Sequence, residues 1–211
     1  LKLANPELNV IACGGDGDGM AIGLGHTYHA IRRNVNLTYI LMDNHVYGLT
    51  KGQTSPRSDW GFKTKTTPTG NIETPVATLE MALSAGASFV AQGFSTQLQE
   101  LTDLIVAAVK HPGFSLVNVF SPCVTFNKVN TYDWFKERLV GIDSIEDYDR
   151  YDKGKVLQHI LEHEGLLTGL LYEDRKKRSY EEVSGLANNN QMQSVLKFTK
   201  AEFDKLVEDF R

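Results

Sequence analysis

The chain has 211 residues, of which 41% are hydrophobic and 23% charged; that balance fits one large folded domain, or one domain with a small appendage, and excludes a disordered chain. Lys and Arg number 22 against 26 Asp and Glu, so the net charge is −4, the wrong sign for a free-standing nucleic-acid binder. No run approaches the length of a membrane-spanning apolar helix, and two cysteines, Cys13 and Cys123, exclude a disulfide framework and fit a reducing, cytoplasmic compartment. Residue 1 is Leu, and residues 1–7 lack a basic stretch followed by an apolar one, so no secretory signal is visible and the chain reads as cut from something longer.

Residues 8–13 (LNVIAC) form a short apolar run, read as a buried strand. Residues 14–19 (GGDGDG) carry four glycines and are expected to be a loop. Apolar positions 20, 24, 28 and 31 then give a helix face over 20–34, and 37–42 (LTYILM) is a second strand-like run. Strand, glycine loop, helix and strand make a right-handed βαβ unit of a parallel sheet, whose ligands sit at the carboxyl ends of the strands. Here those ends are residues 14–19 and 43–53. The polar stretch 50–73 is too long for an idle connection and reads as a binding loop or an interface. Helices are expected over 75–86 and 96–110, with strands over 88–91 and 114–120, so the class is α/β, a parallel sheet flanked by helices.

Beyond Ser121 the pattern weakens. Helices fit 131–139 and 156–164, residues 186–192 are a polar break, and 200–210 (KAEFDKLVEDF) is amphipathic. The expected division is an α/β domain over 1–130 and a C-terminal tail over 131–211 that packs on the sheet or on partners. The basic run at 175–178 reads as a solvated face. His159 and His163 stand at metal spacing, but Ile160 occupies the position where the zinc-protease motif needs Glu.

The glycine loop does not have Rossmann spacing. From Gly15 the sixth position is Met20, and from Gly17 it is Ile22. It also carries Asp16 and Asp18, which would repel a phosphate; two unit charges about 4 Å apart interact by roughly 4 kcal/mol at an intermediate dielectric. A divalent cation removes that contradiction. Asp16 offers one hard oxygen, a diphosphate offers others, and Mg²⁺ suits octahedral oxygen coordination. Asn44, 28 positions after Asp16 and at the end of the next strand, offers a neutral amide oxygen, and Val46 a backbone carbonyl.

Gly15-Asp16-Gly17, then 26 residues, then Asn44 resembles the thiamine diphosphate signature, with His45 in place of its usual second Asn. Residues 15–53, with RRN at 32–34, MDNHVYGLTKGQTSP at 42–56 and SPCVTFN at 121–127, resemble the β subunit of 2-oxoacid:ferredoxin oxidoreductases. The resemblance covers residues 8–140 and, more loosely, the rest. It implies a thiamine diphosphate-binding domain in which Asp16, Asn44 and the Val46 carbonyl hold Mg²⁺. Gly15, Gly17 and Asp18 would line the diphosphate. Tyr47, Gly48, Leu49 and Thr50 would run along the cofactor, with Leu49 and Thr50 near the thiazolium and Lys51 facing the substrate carboxylates. Cys123 matches one of four ligands to a [4Fe–4S] cluster whose other cysteines, in that family, precede the glycine loop. Either they were removed with an upstream segment or sit in another chain, or the cluster is absent.

The implied reaction is oxidative decarboxylation of a 2-oxoacid to an acyl-CoA, with electrons passed to ferredoxin. The implied partners are an α subunit that supplies the activating glutamate, ferredoxin, coenzyme A and the 2-oxoacid. Lys51 favours 2-oxoglutarate, whose second carboxylate it would meet, with pyruvate open. Two other readings stay open: a thiamine-dependent decarboxylase or synthase subunit without iron–sulfur clusters, and a non-catalytic dinucleotide-binding module.

Overall fold

The computed structural model describes residues 1–186 together with 200, 205 and 208. Six strands make one sheet: β1 (Ile11–Gly15), β2 (Thr38–Asp43), β3 (Phe89–Phe94), β4 (Ser115–Phe120), β5 (Val140–Gly141) and β6 (Leu167–Glu173), in the order β1-β2-β4-β3-β6-β5. The four strands β1, β2, β4 and β3 are parallel, β6 runs antiparallel to β3, and β5 parallel to β6. Helices α1 (Leu24–Arg33), α2 (Thr78–Ser84), α3 (Leu98–Lys110), α4 (Tyr132–Arg138), α5 (Lys153–Glu162) and α6 (Tyr180–Val183) connect and cover it. The expected α/β class, a mostly parallel sheet flanked by helices, is what forms. Among the described residues no helix is long and apolar enough to cross a membrane.

β3 and β4 are buried along their whole length, and each is apolar but for buried polar residues, Gln92 on β3 and Ser115 and Asn118 on β4. One face of the sheet presents Phe89, Ala91, Val117 and Val119 to Ala108, Leu101, Leu104 and Ile105 of α3. The opposite face presents Leu41, Val90 and Leu116 to Ile31 of α1, to Leu79 and Leu83 of α2, and to Val156 and Ile160 of α5. Side chains alternate across each strand, so neighbouring positions feed different layers.

Four expectations change. β1 is not buried: it is an edge strand with Ile11, Ala12 and Cys13 exposed, because among the described residues no helix covers its outer side. Gly14 and Gly15 are not loop but the last residues of β1, paired with Leu41 and Met42. A Cβ on Gly14 would lie 2.5 Å from the Tyr39 hydroxyl, so the glycine admits a bulky neighbour rather than breaking the strand. The expected helix over 20–34 is split at Gly23 into a π-helical turn (Asp18–Ile22) and α1; Thr27 is buried where Tyr28 was expected, and Tyr28 is exposed. Finally, the 131–211 segment, expected as a helical tail, also supplies β5 and β6, the latter pairing with β3. The expected helix over 200–210 and the polar break at 186–192 lie, but for isolated positions, outside the described residues.

Asn34 ties α1 to the sheet. It ends the helix in the left-handed region (φ 53°), a conformation that Asn tolerates better than most residues. Its side-chain oxygen accepts from the Phe114 N–H at 3.0 Å and the Ser88 hydroxyl at 2.7 Å, and its amide donates to the Arg178 carbonyl at 3.0 Å. Asn34→Ala loses those buried partners and should cost about 2–4 kcal/mol in urea unfolding. Asn34→Gly keeps the backbone conformation but not the bonds, and should remain destabilised; full stability in the glycine variant would mean that the bonds contribute little.

Candidate functional site

The register of β1 on β2 builds the site. Gly15 pairs with Met42, so the residues that follow each strand, Asp16 and Asn44, emerge side by side at the carboxyl edge. The Asn44 N–H donates to Asp16 Oδ1 at 3.4 Å. Asn44 Oδ1 accepts from the Val46 N–H at 3.1 Å, a local turn that leaves the amide oxygen a second lone pair. The Val46 carbonyl accepts no hydrogen bond among the described residues. A carboxylate, an amide oxygen and a free carbonyl are a hard, all-oxygen set, the chemistry Mg²⁺ takes. No group of three or more His, Cys, Asp or Glu side chains converges among the described residues. A set built on one carboxylate and two neutral oxygens contains only one of those side chains.

The electrostatics point the same way. Asp16 is buried, and its Oδ2 accepts a short 2.5 Å hydrogen bond from the Ser55 hydroxyl. Burial first, and then the charge of nearby Asp43, push the Asp16 carboxyl up to about 6, against the opposing hydrogen bonds from Ser55 and the Asn44 N–H and the weaker pull of the His45 charge. Asp43 itself is fully buried, but Arg57 Nε donates to its Oδ2 at 2.9 Å, and His45 Nε2 lies 3.4 Å from its Oδ1. Burial alone would raise the Asp43 carboxyl; the two cations outweigh it and hold the group well below the usual carboxylate range. Burial likewise acts to lower His45, and the Asp43 charge overrides it and lifts the imidazole to about 9. So Asp43 is neutralised by protein groups, whereas Asp16 receives hydrogen bonds but no adjacent full positive charge of its own.

The other expected residues divide. Gly17 lies under the Tyr47 ring, where a Cβ would come within 2.1 Å, and the Tyr47 hydroxyl donates to the Gly17 carbonyl at 2.9 Å. Asp18 is exposed and is not gathered with Asp16. Gly48, Leu49, Thr50 and Lys51 form a turn closed by the Lys51 N–H on the Gly48 carbonyl and the Gly52 N–H on the Tyr47 carbonyl. Leu49 is 99% exposed, so this turn projects away from the body of the domain. Cys123 stands beside it: a Cβ on Gly48 would lie 3.9 Å from Cys123 Sγ. Both cysteines are free thiols, and two thiols cannot by themselves hold a four-thiolate cluster.

Sequence reasoning missed the groups that hold the site in place. Ser55 and Arg57 come from the middle of the irregular 50–73 loop, where no periodicity marks them. Ser58 donates to the His45 carbonyl at 2.7 Å. Asn127 donates to the Asn44 carbonyl at 3.3 Å and to Asn130 Oδ1 at 2.9 Å, and Asn130 to Asp59 Oδ2 at 2.8 Å, so the segment after β4 braces the loop after β2. One signal was available: Asp43 is a charged residue closing an apolar strand, and such a group needs a partner.

Residues 1–119 match the family described as "Thiamine pyrophosphate enzyme, C-terminal TPP binding domain", and residues 123–188 match the family of the C-terminal region of the pyruvate ferredoxin oxidoreductase beta subunit. The chain is 46% identical over 149 residues to the 2-oxoacid:ferredoxin oxidoreductase subunit beta of Sulfolobus sp, covering 71% of this chain and 49% of that one. It is 44% identical over 136 residues to the 2-oxoglutarate synthase subunit KorB of Archaeoglobus fulgidus, covering 64% of this chain and 51% of the relative. The chain thus spans about half the length of the curated relatives it matches. A solved 2-oxoglutarate:ferredoxin oxidoreductase from Magnetococcus marinus, with 2-oxoglutarate, coenzyme A and succinyl-CoA bound, superposes with a TM-score of 0.82 at 37% identity, covering 100% of this chain and 70% of that one.

The two raised groups fix a pH dependence for the unliganded chain. Asp16 binds its proton more tightly folded than unfolded, so its contribution is present below about pH 4 and is lost as pH rises through about 6. The His45 contribution is present below about 6.5 and is lost as pH rises through about 9. Asp16→Asn removes the first loss. At pH 8 the variant should be more stable than the parent, by on the order of 2–3 kcal/mol in urea unfolding, with the gap closing near pH 4. A variant that is less stable at pH 8 would show that the Asp16 charge is well accommodated without a cation.

Proposed function

Because the chain belongs to the thiamine pyrophosphate enzyme family by its C-terminal TPP-binding domain, we propose that it is the cofactor-binding part of a 2-oxoacid:ferredoxin oxidoreductase β subunit. The reaction is oxidative decarboxylation of a 2-oxoacid, with 2-oxoglutarate preferred, to CO₂ and an acyl-CoA, two electrons passing to ferredoxin. The observation that carries this reading is the buried Asp16 carboxylate set beside Asn44 and a free Val46 carbonyl at the joined ends of β1 and β2. Thiamine diphosphate, when bound, would supply a nucleophilic carbon and an electron sink for decarboxylation.

The chain's own residues do the rest. Asp16, Asn44 and the Val46 carbonyl would hold Mg²⁺, which would relieve the buried Asp16 charge. Gly15 and Gly17 leave room at the loop. Tyr47 and Gly48 continue from the metal site toward the exposed turn, which brings Leu49 and Thr50 to the reacting end. Lys51, on the exposed turn, would meet the distal carboxylate of the 2-oxoacid with its ammonium. Cys123 is one ligand to an iron–sulfur cluster completed by thiolates from outside this sequence. Leu49, Trp60 and Ile72 are exposed apolar side chains on the loops around the site, and they suit burial against an α subunit in a cytoplasmic hetero-oligomer.

In the assembled oxidoreductase, viologen reduction should require 2-oxoacid, coenzyme A, thiamine diphosphate and Mg²⁺ together. CO₂ release without dye reduction would favour a decarboxylase instead. Lys51→Ala should raise the KM for 2-oxoglutarate by roughly tenfold or more, the worth of a charge-assisted hydrogen bond, and raise that for pyruvate much less. An equal effect on both acids would remove Lys51 from the recognition of the second carboxylate.

A further inference from the structure

The two carboxylate oxygens of Asp16 are not equally free. Oδ2 accepts the Ser55 hydroxyl at 2.5 Å, whereas Oδ1 meets only the Asn44 N–H, at a long 3.4 Å. The direction of the Ser55 bond is fixed, because an ionised carboxylate can only accept. The Ser55 oxygen in turn accepts from the Arg57 N–H at 3.2 Å. Ser55 is 3% exposed and Ser58 1%, so neither hydroxyl has water to turn to. The serine is also held from behind. Its N–H donates to Ser58 Oγ at 2.9 Å, the Ser58 hydroxyl donates to the His45 carbonyl at 2.7 Å, and the Asn71 amide donates to the Ser58 carbonyl at 2.9 Å. Two serines three positions apart thus join Asp16 to the peptide between His45 and Val46. The N–H of that peptide serves Asn44 Oδ1 at 3.1 Å.

We propose that Ser55 determines which divalent cation the site prefers. By occupying Oδ2 it leaves Asp16 a one-oxygen ligand, through Oδ1. Mg²⁺ is small and demands a near-octahedral shell, which the narrow bite of a two-oxygen carboxylate fits poorly. Ca²⁺ takes roughly six to eight oxygens in a looser shell and accepts a carboxylate by both. At this site Ca²⁺ gains the second oxygen only by breaking a buried, charge-assisted hydrogen bond. Ser55 does not itself hold the ion; it is a positioning residue that acts through Asp16. The inference rests on the proposed thiamine diphosphate and Mg²⁺ reading and adds to it the residue that selects the ion. Bracing of the loop alone would matter equally to both ions.

The test is calorimetric titration of Mg²⁺, and separately of Ca²⁺, into metal-free assembled enzyme with thiamine diphosphate in excess. The quantity read is the ratio of the two Kd values. Ser55→Ala should shift that ratio toward Ca²⁺ by roughly tenfold or more, the worth of a charge-assisted hydrogen bond, with Ca²⁺ bound more tightly than by the parent. Ser55→Thr keeps the hydroxyl and should keep the parent ratio. Ser58→Ala removes the brace but not the bond to Oδ2, and should weaken both ions alike. An unchanged ratio in Ser55→Ala, an equal loss of both ions there, or the same shift in Ser58→Ala would each overturn the assignment. The parent enzyme carries a check that needs no folded Ser55 variant. Infrared difference spectra at stoichiometric Ca²⁺, with Asp16→Asn to identify the band, should show a one-oxygen carboxylate; a two-oxygen signature would overturn the assignment. A parent that binds neither ion beside thiamine diphosphate removes the functional reading and the role of Ser55 together, whereas a parent that binds both, with Ser55→Ala indifferent, removes the role of Ser55 alone.

Discussion

A carboxylate buried beside another carboxylate is the constraint around which the rest of this domain is arranged. Asp16 and Asp43 close adjacent strands, so the parallel register that builds the sheet also forces two anions together. Buried charge without compensation is among the costliest features a fold can carry. The two anions are treated differently. Asp43 is answered by Arg57 and His45 and becomes part of the frame. Asp16 is answered by two hydrogen bonds and only weakly by the charge of His45, and its carboxyl is left raised to about 6. A dication placed there gains from a charge the protein has already desolvated and oriented.

The frame extends inward from Asp43. Asn118 on β4 donates to Gln92 Oε1 on β3 at 2.7 Å, and Gln92 donates to the carbonyls of Gly165 and Leu167 at the start of β6. Asn118 also approaches Asp43 Oδ2 at 3.4 Å. Polar side chains thus cross the middle of an otherwise apolar sheet and lock its strand ends in register with the loop that carries the site. The network is only partly satisfied: Asn118 Oδ1 and Asp43 Oδ1 are buried without a hydrogen-bond partner among the described residues. The loop after β2 gains its order from that frame and from the 121–130 segment, not from regular structure of its own. It can therefore present an exposed turn without being slack.

Much of this was legible in the sequence, and the limits have physical causes. The glycine loop between two apolar runs placed Asp16 and Asn44 at the ends of adjacent strands, because a βαβ unit leaves few alternatives. The spacing of Gly15-Asp16-Gly17 to Asn44 then carried the resemblance to thiamine enzymes. What stayed hidden was whatever depends on contacts with no period. Ser55, Arg57 and Ser58 act from an irregular loop, and nothing in their order distinguishes them from surface residues. Gly14 and Gly15 read as loop because propensity carries no knowledge of the Tyr39 hydroxyl that occupies the space a side chain on Gly14 would have filled. The exposure of β1 is likewise invisible to an apolar pattern, since an edge strand and a central one can share it. β6 was missed because its run, LTGLLYE, is interrupted by Gly169, held at φ 127° against Ile142.

The central claim is that the site accepts a diphosphate only through a dication held by Asp16. The direct measurement is calorimetric titration of thiamine diphosphate, and of unphosphorylated thiamine, into metal-free assembled enzyme at increasing Mg²⁺. The account predicts that thiamine diphosphate affinity climbs steeply with Mg²⁺ and collapses on chelation, while thiamine affinity is indifferent to the metal. Equal binding of thiamine diphosphate with and without Mg²⁺ would contradict it.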